Sequence, residues 1–278
     1  MKHLFDHISI ASSILVTKTY STSFSLGIRC LNKKFHHAIY SIYGFVRLAD
    51  EIVDSFHGYD KDELLEEFKS ATYKSIKQGI SLNPILNSFQ RVVNEYAIDK
   101  ELIDCFLASM EMDLQETSHS PGSYDAYILG SAEVVGLMCL RVFTENDEKM
   151  YLELKPAAMK LGAAFQKVNF LRDMKNDYEV LGRVYFPKVD FTIFSEAEKK
   201  EIEHDIEKDF DIALAGIKEL PRSSRFGVYV AYIYYKSLFN KIKSVSSANI
   251  MSQRIRIPNA KKIGLLAGSY VKHSFRMI

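Results

Sequence analysis

Tryptophan is absent from this chain of 278 residues, and cysteine, glycine and proline are scarce. The three cysteines, Cys30, Cys105 and Cys139, are odd in number, widely spaced and match no metal-binding pattern. This usage argues against a disulfide framework and favours a reducing cytosol. With only 13 glycines and 6 prolines against 47% hydrophobic residues, the composition predicts an ordered globule with few turns rather than a disordered chain.

Long uninterrupted apolar runs are also missing. The first 21 residues, MKHLFDHISIASSILVTKTYS, mix charged residues and histidines with the apolar ones, and the most apolar later run, AYILGSAEVVGLMCL, is interrupted by Glu133. We therefore expect neither a secretory signal nor a comfortable membrane span. The pattern predicts a soluble or peripheral protein.

Acidic residues are absent after Glu219, although the net charge of the whole chain is only +1. Residues 1 to 219 hold 25 basic and 35 acidic residues, and the remaining segment holds eleven basic ones. These are Arg222, Arg225, Lys236, Lys241, Lys243, Arg254, Arg256, Lys261, Lys262, Lys272 and Arg276. The asymmetry indicates an anionic partner such as substrate phosphate, acidic lipid or nucleic acid, with a solvated basic face as the alternative.

Strand signals are scarce, and helical periodicity dominates. SHSPGS, Ser118 to Ser123, reads as a loop, and Leu181 to Ile193 breaks the periodicity. We predict one all-α domain over 1–278, with an N-terminal extension at 1–19 and a tail at 263–278. The predicted helices are Phe35 to Phe56, Asp60 to Gln78, Leu82 to Tyr96, Asp99 to Thr117, Tyr124 to Phe143, Asp147 to Tyr178, Ser195 to Leu220 and Ser223 to Val245.

The stretch NFLRDMKNDYEVLGRVYFP, Asn169 to Pro187, places Asp173 and Asp177 one above the other on a helix. Two like charges at this spacing destabilise a helix by about 0.2–0.5 kcal/mol. Either solvent and the neighbouring Arg172 and Lys175 screen them, or the pair binds a hard divalent cation, because Mg²⁺ prefers carboxylate oxygens together with water and substrate phosphate.

A second Asp-x-x-x-Asp pair, Asp50 and Asp54, follows Arg47 on one face of another predicted helix. In the first stretch, Gln166 and Asn169 extend the aspartates into a polar stripe, and such a stripe is costly to bury unless it is satisfied. Two carboxylate pairs with arginines beside them predict a cage for two or three Mg²⁺ ions and a diphosphate. Two unrelated surface faces are the alternative.

These residues resemble the squalene/phytoene synthase family of head-to-head prenyltransferases. The resemblance runs from Tyr20 to about Lys262. It is carried by STSF (21–24), YSIYGFVRLADEIVDSF (40–56), MEMDL (110–114), YILGSAEVVG (127–136) and QKVNFLRDMKNDYEVLGRVYFP (166–187). One departure is Glu51, where the first motif often has a second aspartate; glutamate keeps the charge, and the metal positions Asp50 and Asp54 are retained.

The resemblance implies an isoprenoid-synthase-type helical bundle with a central cavity. It implies that Mg²⁺, two or three ions with Mn²⁺ as a substitute, assists loss of diphosphate from one substrate before the two prenyl chains are joined. The implied metal ligands are Asp50, Asp54, Asn169, Asp173 and Asp177. Tyr43 and Tyr127 are the candidates for the cavity wall near the carbocation, with ordinary core packing as the alternative.

The resemblance also implies a set of diphosphate-binding residues: Ser21, Arg47, Gln166, Asn169, Arg172, Arg183, Tyr235 and Arg254. Two assignments keep an alternative. Arg256 competes with Arg254, and Ser21 suits a helix N-cap equally well. The histidines carry no triad or metal spacing.

As to the product, the resemblance implies condensation of two geranylgeranyl diphosphates through a cyclopropyl diphosphate to phytoene, in carotenoid formation, without NADPH. The alternatives are a dehydrosqualene or squalene synthase that uses two farnesyl diphosphates, or a non-catalytic lipid-binding or assembly homologue. We expect a cytoplasmic protein, peripheral at the inner face of the cell membrane, with downstream carotenoid enzymes as partners. Nucleic-acid binding lacks a supporting motif and is not expected.

Overall fold

The computed structural model describes residues 2–115, 118–187, 189, 193–252, 254–258 and 264–270. Helices dominate these residues, which contain no named strand and one isolated bridge, between Ser118 and Val184. This confirms the all-α prediction. The helices are α1 Lys2–Tyr20, α2 Thr22–Arg29, α3 Lys33–Ser55, α4 Lys61–Gln78, α5 Pro84–Glu95, α6 Lys100–Gln115, α7 Pro121–Ile128, α8 Val134–Thr144, α9 Glu148–Glu179, α10 Glu196–Glu219, α11 Arg222–Lys243 and α12 Ser247–Ser252.

Helix α3 begins where the Asn32 side chain caps it by accepting a hydrogen bond from the Lys34 amide. Its apolar face is buried against α5 and α6, and Phe45 stacks on Phe89 with ring centroids 3.9 Å apart. The opposite edge of the same helix carries the first aspartate pair. The observed ends lie within two residues of the prediction, because the apolar periodicity of this segment is unbroken.

Helix α7 begins earlier than predicted. Helix α7 begins at Pro121, inside the SHSPGS segment that we expected to be a loop, because Ser120 and Ser123 form a capping box at its start. The predicted helix from Tyr124 to Phe143 is also not continuous. A π-helical segment, Leu129–Glu133, lies between α7 and α8, and Gly130 in it packs against the Cys105 carbonyl.

The α7–α8 region is the one candidate membrane span among the described residues by length and composition, over Pro121–Thr144. However, 61% of its most apolar window is buried inside the protein. It packs against α3, α6 and α9, so we interpret it as a core helix.

Helix α9 is the longest helix described and carries the second aspartate pair. It lies close to the π-helical segment, where a Cβ added to Gly162 would meet the Ala132 carbonyl oxygen at 2.6 Å. On the other side, Lys167 is buried and pairs with Asp209 of α10 at 2.7 Å. These contacts hold α9 between α8 and α10 and fix the direction of its polar stripe.

Some predictions fall outside the described residues. They concern the helix end at Thr117, the irregular residues Asp190, Phe191 and Thr192, the basic residues Lys261, Lys262, Lys272 and Arg276, and the last part of the tail, 271–278. Within the predicted tail, residues 264–270 are helical.

Candidate active site

The first aspartate motif lies in the C-terminal half of α3. Arg47 pairs with Glu51, four residues on, and its Nη1 lies 3.8 Å from Asp50 Oδ2. The guanidinium also lies over the Tyr20 ring, 4.3 Å from its centroid. Its Nε is buried and has no hydrogen-bond partner among the described residues. Arg47 therefore has an unused hydrogen-bond donor, Nε, near the aspartates of the first motif.

The second motif lies in the last turns of α9. Arg172 pairs with its neighbour Asp173, and Arg254 Nε reaches the same carboxylate at 2.7 Å from Oδ1. Arg256, the rival assignment, contacts Lys241, whose Nζ donates to the Arg256 carbonyl oxygen at 2.6 Å. The structure thus places Arg254 at the second aspartate motif. Two of the four arginines predicted to bind diphosphate, Arg172 and Arg254, bind Asp173 here.

Arg183 joins the two motifs. Its backbone amide donates to the Asp177 carbonyl oxygen at 2.8 Å, just after the end of α9. Its Nη1 lies 2.7 Å from Asp54 Oδ1 on α3. Only 7% of the Arg183 side chain is exposed. The two aspartate motifs, on helices distant in sequence, therefore meet around one buried guanidinium.

A third carboxylate, Asp113 of α6, belongs to the same group and was missed by our sequence-based assignment. Its Oδ1 lies 3.3 Å from Arg183 Nη1 and accepts from the Tyr185 hydroxyl at 3.2 Å, while its Oδ2 accepts from the Tyr127 hydroxyl at 2.8 Å. Burial raises the pKa of Asp113 to about 6, although Arg183 opposes the shift. The MEMDL segment contains this aspartate, but no second aspartate lies four residues away to mark it in the sequence.

Burial and mutual repulsion perturb the aspartates. Burial raises the pKa of Asp50 to about 7, with Arg47 opposing the shift and Asp54 adding to it, although 31% of the side chain stays exposed. Burial and the neighbouring Asp173 and Asp54 raise the pKa of Asp177 to about 8. A cation placed among these groups would lower both pKa values.

Two groups of aromatic rings flank the charged residues. On one side, Phe165 stacks on Tyr235 with centroids 3.9 Å apart, and Phe24 lies 5.5 Å from Tyr43 and 5.9 Å from Tyr235. Burial raises the pKa of Tyr43 to about 12, and the nearby Asp50 adds to the shift. Tyr43 thus lies near Asp50 of the first motif, and its role in a cavity wall stays a prediction.

On the other side, Phe170 stacks on Tyr185 at 4.1 Å, and Tyr127 lies 5.2 Å from Tyr185. The His119 ring lies 4.9 Å from Tyr127 and 5.6 Å from Tyr185. Tyr127 is buried, and burial raises its pKa well above the ordinary value, with Asp113 adding to the shift. Its hydroxyl is thus a proton donor that holds Asp113 in place.

The remaining predicted residues lie around this centre. Asn169 accepts from the Tyr235 hydroxyl at 3.3 Å and donates to Gln166 at 3.4 Å. Ser21 is the N-cap of α2, where its hydroxyl accepts from the Phe24 amide. The N-cap alternative for Ser21 therefore holds. Its hydroxyl also belongs to the surroundings of Tyr43, where a hydrogen bond opposes the rise of that pKa.

The donor set fits Mg²⁺. The ligand atoms offered are the hard oxygens of carboxylates and one amide, as Mg²⁺ and Mn²⁺ prefer. In the described part of the chain, no group of three or more His, Cys, Asp or Glu side chains is arranged to hold a metal ion by itself. Mg²⁺ is usually held by one or two carboxylates, and water and phosphate complete its shell. The aspartate pairs match that arrangement, because Asp50 and Asp177 have raised pKa values. The unused Nε donor of Arg47 lies nearby.

A small cavity of about 20 Å³ adjoins the charged centre. Asp177 and Arg183 form its polar end. The apolar lining comprises Phe170, Met174, Val184, Tyr185, Phe186 and Val189. Its volume suffices for about one water molecule and lies far below the range for ligand pockets.

Sequence comparison places this arrangement among known proteins. The model of the squalene/phytoene synthase family matches residues 17–261. Phytoene synthase 1, chloroplastic, of Solanum lycopersicum is 26% identical to the chain over 92% of its length, and the chain spans 66% of that relative. Phytoene synthase of Arthrospira platensis is 25% identical, with 89% of this chain and 88% of the relative covered.

Structural comparison gives the same fold. A crystal structure of a dehydrosqualene synthase in complex with ligand superposes with a TM-score of 0.82 and 20% sequence identity. The superposition covers 97% of this chain and 98% of that one. The likeness extends over the whole bundle, including the helices that carry both aspartate motifs.

Proposed function

The chain belongs to the squalene/phytoene synthase family, whose members are head-to-head prenyltransferases acting on prenyl diphosphates, and on that premise we propose that it is a phytoene synthase. The proposed reaction condenses two geranylgeranyl diphosphates through a cyclopropyl diphosphate intermediate to phytoene. The curated relatives named phytoene synthase, at about a quarter sequence identity, support this choice.

The convergence of Asp54, Asp177 and Arg183 is the observation that carries the proposal. Diphosphate is a polyanion, and its departure leaves a carbocation, so the site must supply positive charge without supplying water. Arg183 lies at the polar end of an otherwise apolar cavity. Its position suits it to hold the oxygens of a departing diphosphate.

Asp50, Asp54, Asn169, Asp173 and Asp177 would hold Mg²⁺, which neutralises charge on the diphosphate when it is bound. Arg172 and Arg254 neutralise Asp173 in the present arrangement. A cation at Asp173 would compete with both arginines and release their donors toward phosphate oxygens. Arg47 offers its Nε, and its Nη2 already pairs with Glu51.

The two aromatic groups suit carbocation chemistry. The faces of Tyr43, Phe165 and Tyr235 on one side and of Tyr127 and Phe170 on the other present negative π density and exclude water. Tyr127 and Tyr235 are each tied by their hydroxyls, to Asp113 and Asn169. Rings held in this way keep a fixed distance from a reacting chain.

A second candidate is a dehydrosqualene or squalene synthase that uses two farnesyl diphosphates. The structural likeness to a dehydrosqualene synthase favours it. A non-catalytic lipid-binding homologue is disfavoured, because all four aspartates are present.

Incubation of the pure protein with Mg²⁺ and either the C15 or the C20 diphosphate, with and without NADPH, tests the proposal. We expect a C40 hydrocarbon from geranylgeranyl diphosphate that does not depend on NADPH. A C30 hydrocarbon alone would replace the proposal by its alternative. The absence of both hydrocarbons when the protein is supplied with Mg²⁺ would contradict an enzymatic role.

We further propose that the protein works in the cytoplasm as a peripheral protein at the inner face of the cell membrane, because its substrates and product are lipids. Downstream carotenoid enzymes are the expected partners there. The basic C-terminal segment was the expected contact. Several of its cations are engaged within the protein: Lys236 and Lys243 with Glu207, Arg254 with Asp173, and Lys241 with the Arg256 carbonyl oxygen.

A further inference from the structure

Helix α1 has its polar and apolar faces reversed relative to an ordinary surface helix. Its buried residues are the small polar ones Ser9, Ser13 and Thr17. Ser13 contacts Ser88 of α5 at 2.7 Å between the hydroxyls, and a Cβ added to Gly44 of α3 would meet Ser13 Oγ at 2.9 Å. Small residues on both sides bring α1 close to its neighbours without burying its larger side chains.

Four apolar residues of α1 point outward, whereas Ile14 packs against the core. Leu4 and Leu15 are each 67% exposed, and Ile8 is 48% exposed. With the exposed Ala11, these residues recur at steps of four, three and four, which places them in one stripe along the helix. The stripe lies on the face opposite Ser9 and Ser13, and its side chains stay largely exposed in the folded chain.

A neighbouring loop extends this surface. Leu82 is 94% exposed and Ile80 is 42% exposed. Asn87 ties the loop to α1, because its Oδ1 accepts from the Ser81 amide at 3.3 Å and its Nδ2 donates to Ser9 at 2.9 Å. The exposed apolar residues of the loop therefore lie in a segment that is tied to α1.

The exposed charges of α1 itself have one sign. The exposed ionisable residues of α1, apart from Tyr20, are Lys2, His3, His7 and Lys18. Asp6, the one acidic residue of α1, is mostly covered and pairs with Lys2. Two copies of this face would place cations against cations, whereas an anionic lipid surface complements both the cations and the apolar stripe.

We propose that the outer face of α1, together with the loop around Leu82, is the surface by which this protein binds anionic lipid bilayers. A reason for such binding is that the C-terminal end of α1 lies next to the first aspartate motif, where the Tyr20 ring contacts the Arg47 guanidinium. This reason rests on the proposed function, since it assumes that lipid diphosphates reach the motif from the bilayer. The surface itself does not depend on that assumption.

Vesicle flotation tests the proposal without any substrate. The full chain is mixed with vesicles of phosphatidylcholine alone or of phosphatidylcholine with phosphatidylglycerol. We expect the wild type to float with the anionic vesicles. The double variant Leu4→Gln/Leu15→Gln should bind at least about tenfold more weakly, because it loses two inserted apolar side chains. Glutamine keeps the helix propensity of the segment.

Two further variants sharpen the result. Lys18→Glu should weaken flotation with the anionic vesicles only. The matched control is Leu152→Gln, which removes a leucine of similar exposure, 57%, from α9; it should float like the wild type. Turnover of detergent-dispersed substrate should be unchanged in all variants. A wild type that floats without making hydrocarbon contradicts the proposed function alone.

Three results would overturn the proposed surface. The first is a wild type that stays at the bottom of the gradient with anionic vesicles. The second is a double leucine variant that floats as well as the wild type. The third is a dimer, detected by light scattering, that the double variant converts to a monomer, which would make this face an interface between two copies of the chain.

Discussion

Arg183 Nη1 lies 2.7 Å from Asp54 Oδ1, and this ion pair joins residues that are 129 positions apart in the sequence. The same nitrogen lies 3.3 Å from Asp113 Oδ1, and the Arg183 amide binds the Asp177 carbonyl oxygen. The buried guanidinium therefore joins helices α3 and α6, and the backbone of the same residue binds the end of α9. The charged centre depends on this residue for its assembly as well as for its proposed chemistry.

Replacement of Arg183 by methionine should separate the motifs. The change leaves the buried Asp113 carboxylate without its cation, and removing one partner of a buried ion pair costs about 3–5 kcal/mol. Chemical denaturation measures this loss, and turnover should fall with it. Arg222→Met, at an exposed arginine of α11, serves as the control and should change stability by less than about 0.5 kcal/mol. Equal stabilities for the two variants would contradict the assigned role.

Tyr127→Phe should weaken the centre without removing the ring. The variant keeps the aromatic face but loses the hydroxyl that donates to Asp113 at 2.8 Å. Loss of a hydrogen bond to a charged group costs about 1.5–3 kcal/mol, and it should also raise the pKa of Asp113. Thermal unfolding measures the first effect, and carboxyl titration by NMR measures the second. Tyr229→Phe, at another buried tyrosine, should leave the Asp113 titration unchanged; a shift in both variants would show that the effect is not local.

Mg²⁺ should stabilise the protein more at high pH than at low pH. The pKa values of Asp50, about 7, and Asp177, about 8, lie above the ordinary value of 3.8. Without metal, the stability provided by their protonated forms is lost as the pH rises from that value to about 8. Mg²⁺ replaces those protons. The rise in Tm on adding Mg²⁺ should therefore be larger at about pH 8.5 than at about pH 6; a rise that is independent of pH would exclude these two carboxylates as ligands.

Gly162→Ala should disturb the packing that orients α9. The new methyl group would lie 2.6 Å from the Ala132 carbonyl oxygen, and overpacking of this kind costs about 1–3 kcal/mol. Gly122→Ala is the matched control, because nothing lies within 4 Å of the added atom and the residue is also helical. The control should be neutral or slightly stabilising. Thermal unfolding of both variants decides the point, and an equally stable Gly162→Ala protein would contradict the close contact.

The sequence predicts the parts of this protein that depend on local periodicity. Helices α3 and α9 were predicted to within two residues, because long apolar patterns fix them, and the aspartate pairs stand out by their spacing. The π-helical segment and the early start of α7 were not predicted. Both depend on local contacts, of Gly130 with Cys105 and of Ser120 with Ser123, that periodicity does not describe.

Asp113 and helix α1 show a second limit of prediction from the sequence. Asp113 becomes part of the charged centre only because Tyr127, Tyr185 and Arg183 reach it from other segments. In α1, small serines face inward and leucines face outward, the reverse of the pattern from which a buried face is usually inferred. Contacts between distant segments determine the role of Asp113 and the orientation of α1, and these contacts cannot be read from a single sequence.

The most direct test measures diphosphate release from geranylgeranyl diphosphate in the presence of Mg²⁺ by the wild type and by Asp54→Asn and Asp177→Asn. These variants each alter one motif. If the two motifs form one site around Arg183, each variant alone should lower the initial rate by at least about 10³-fold, and the double variant should be little worse than either. A rate within about tenfold of the wild type in either single variant would contradict a single site built from both motifs.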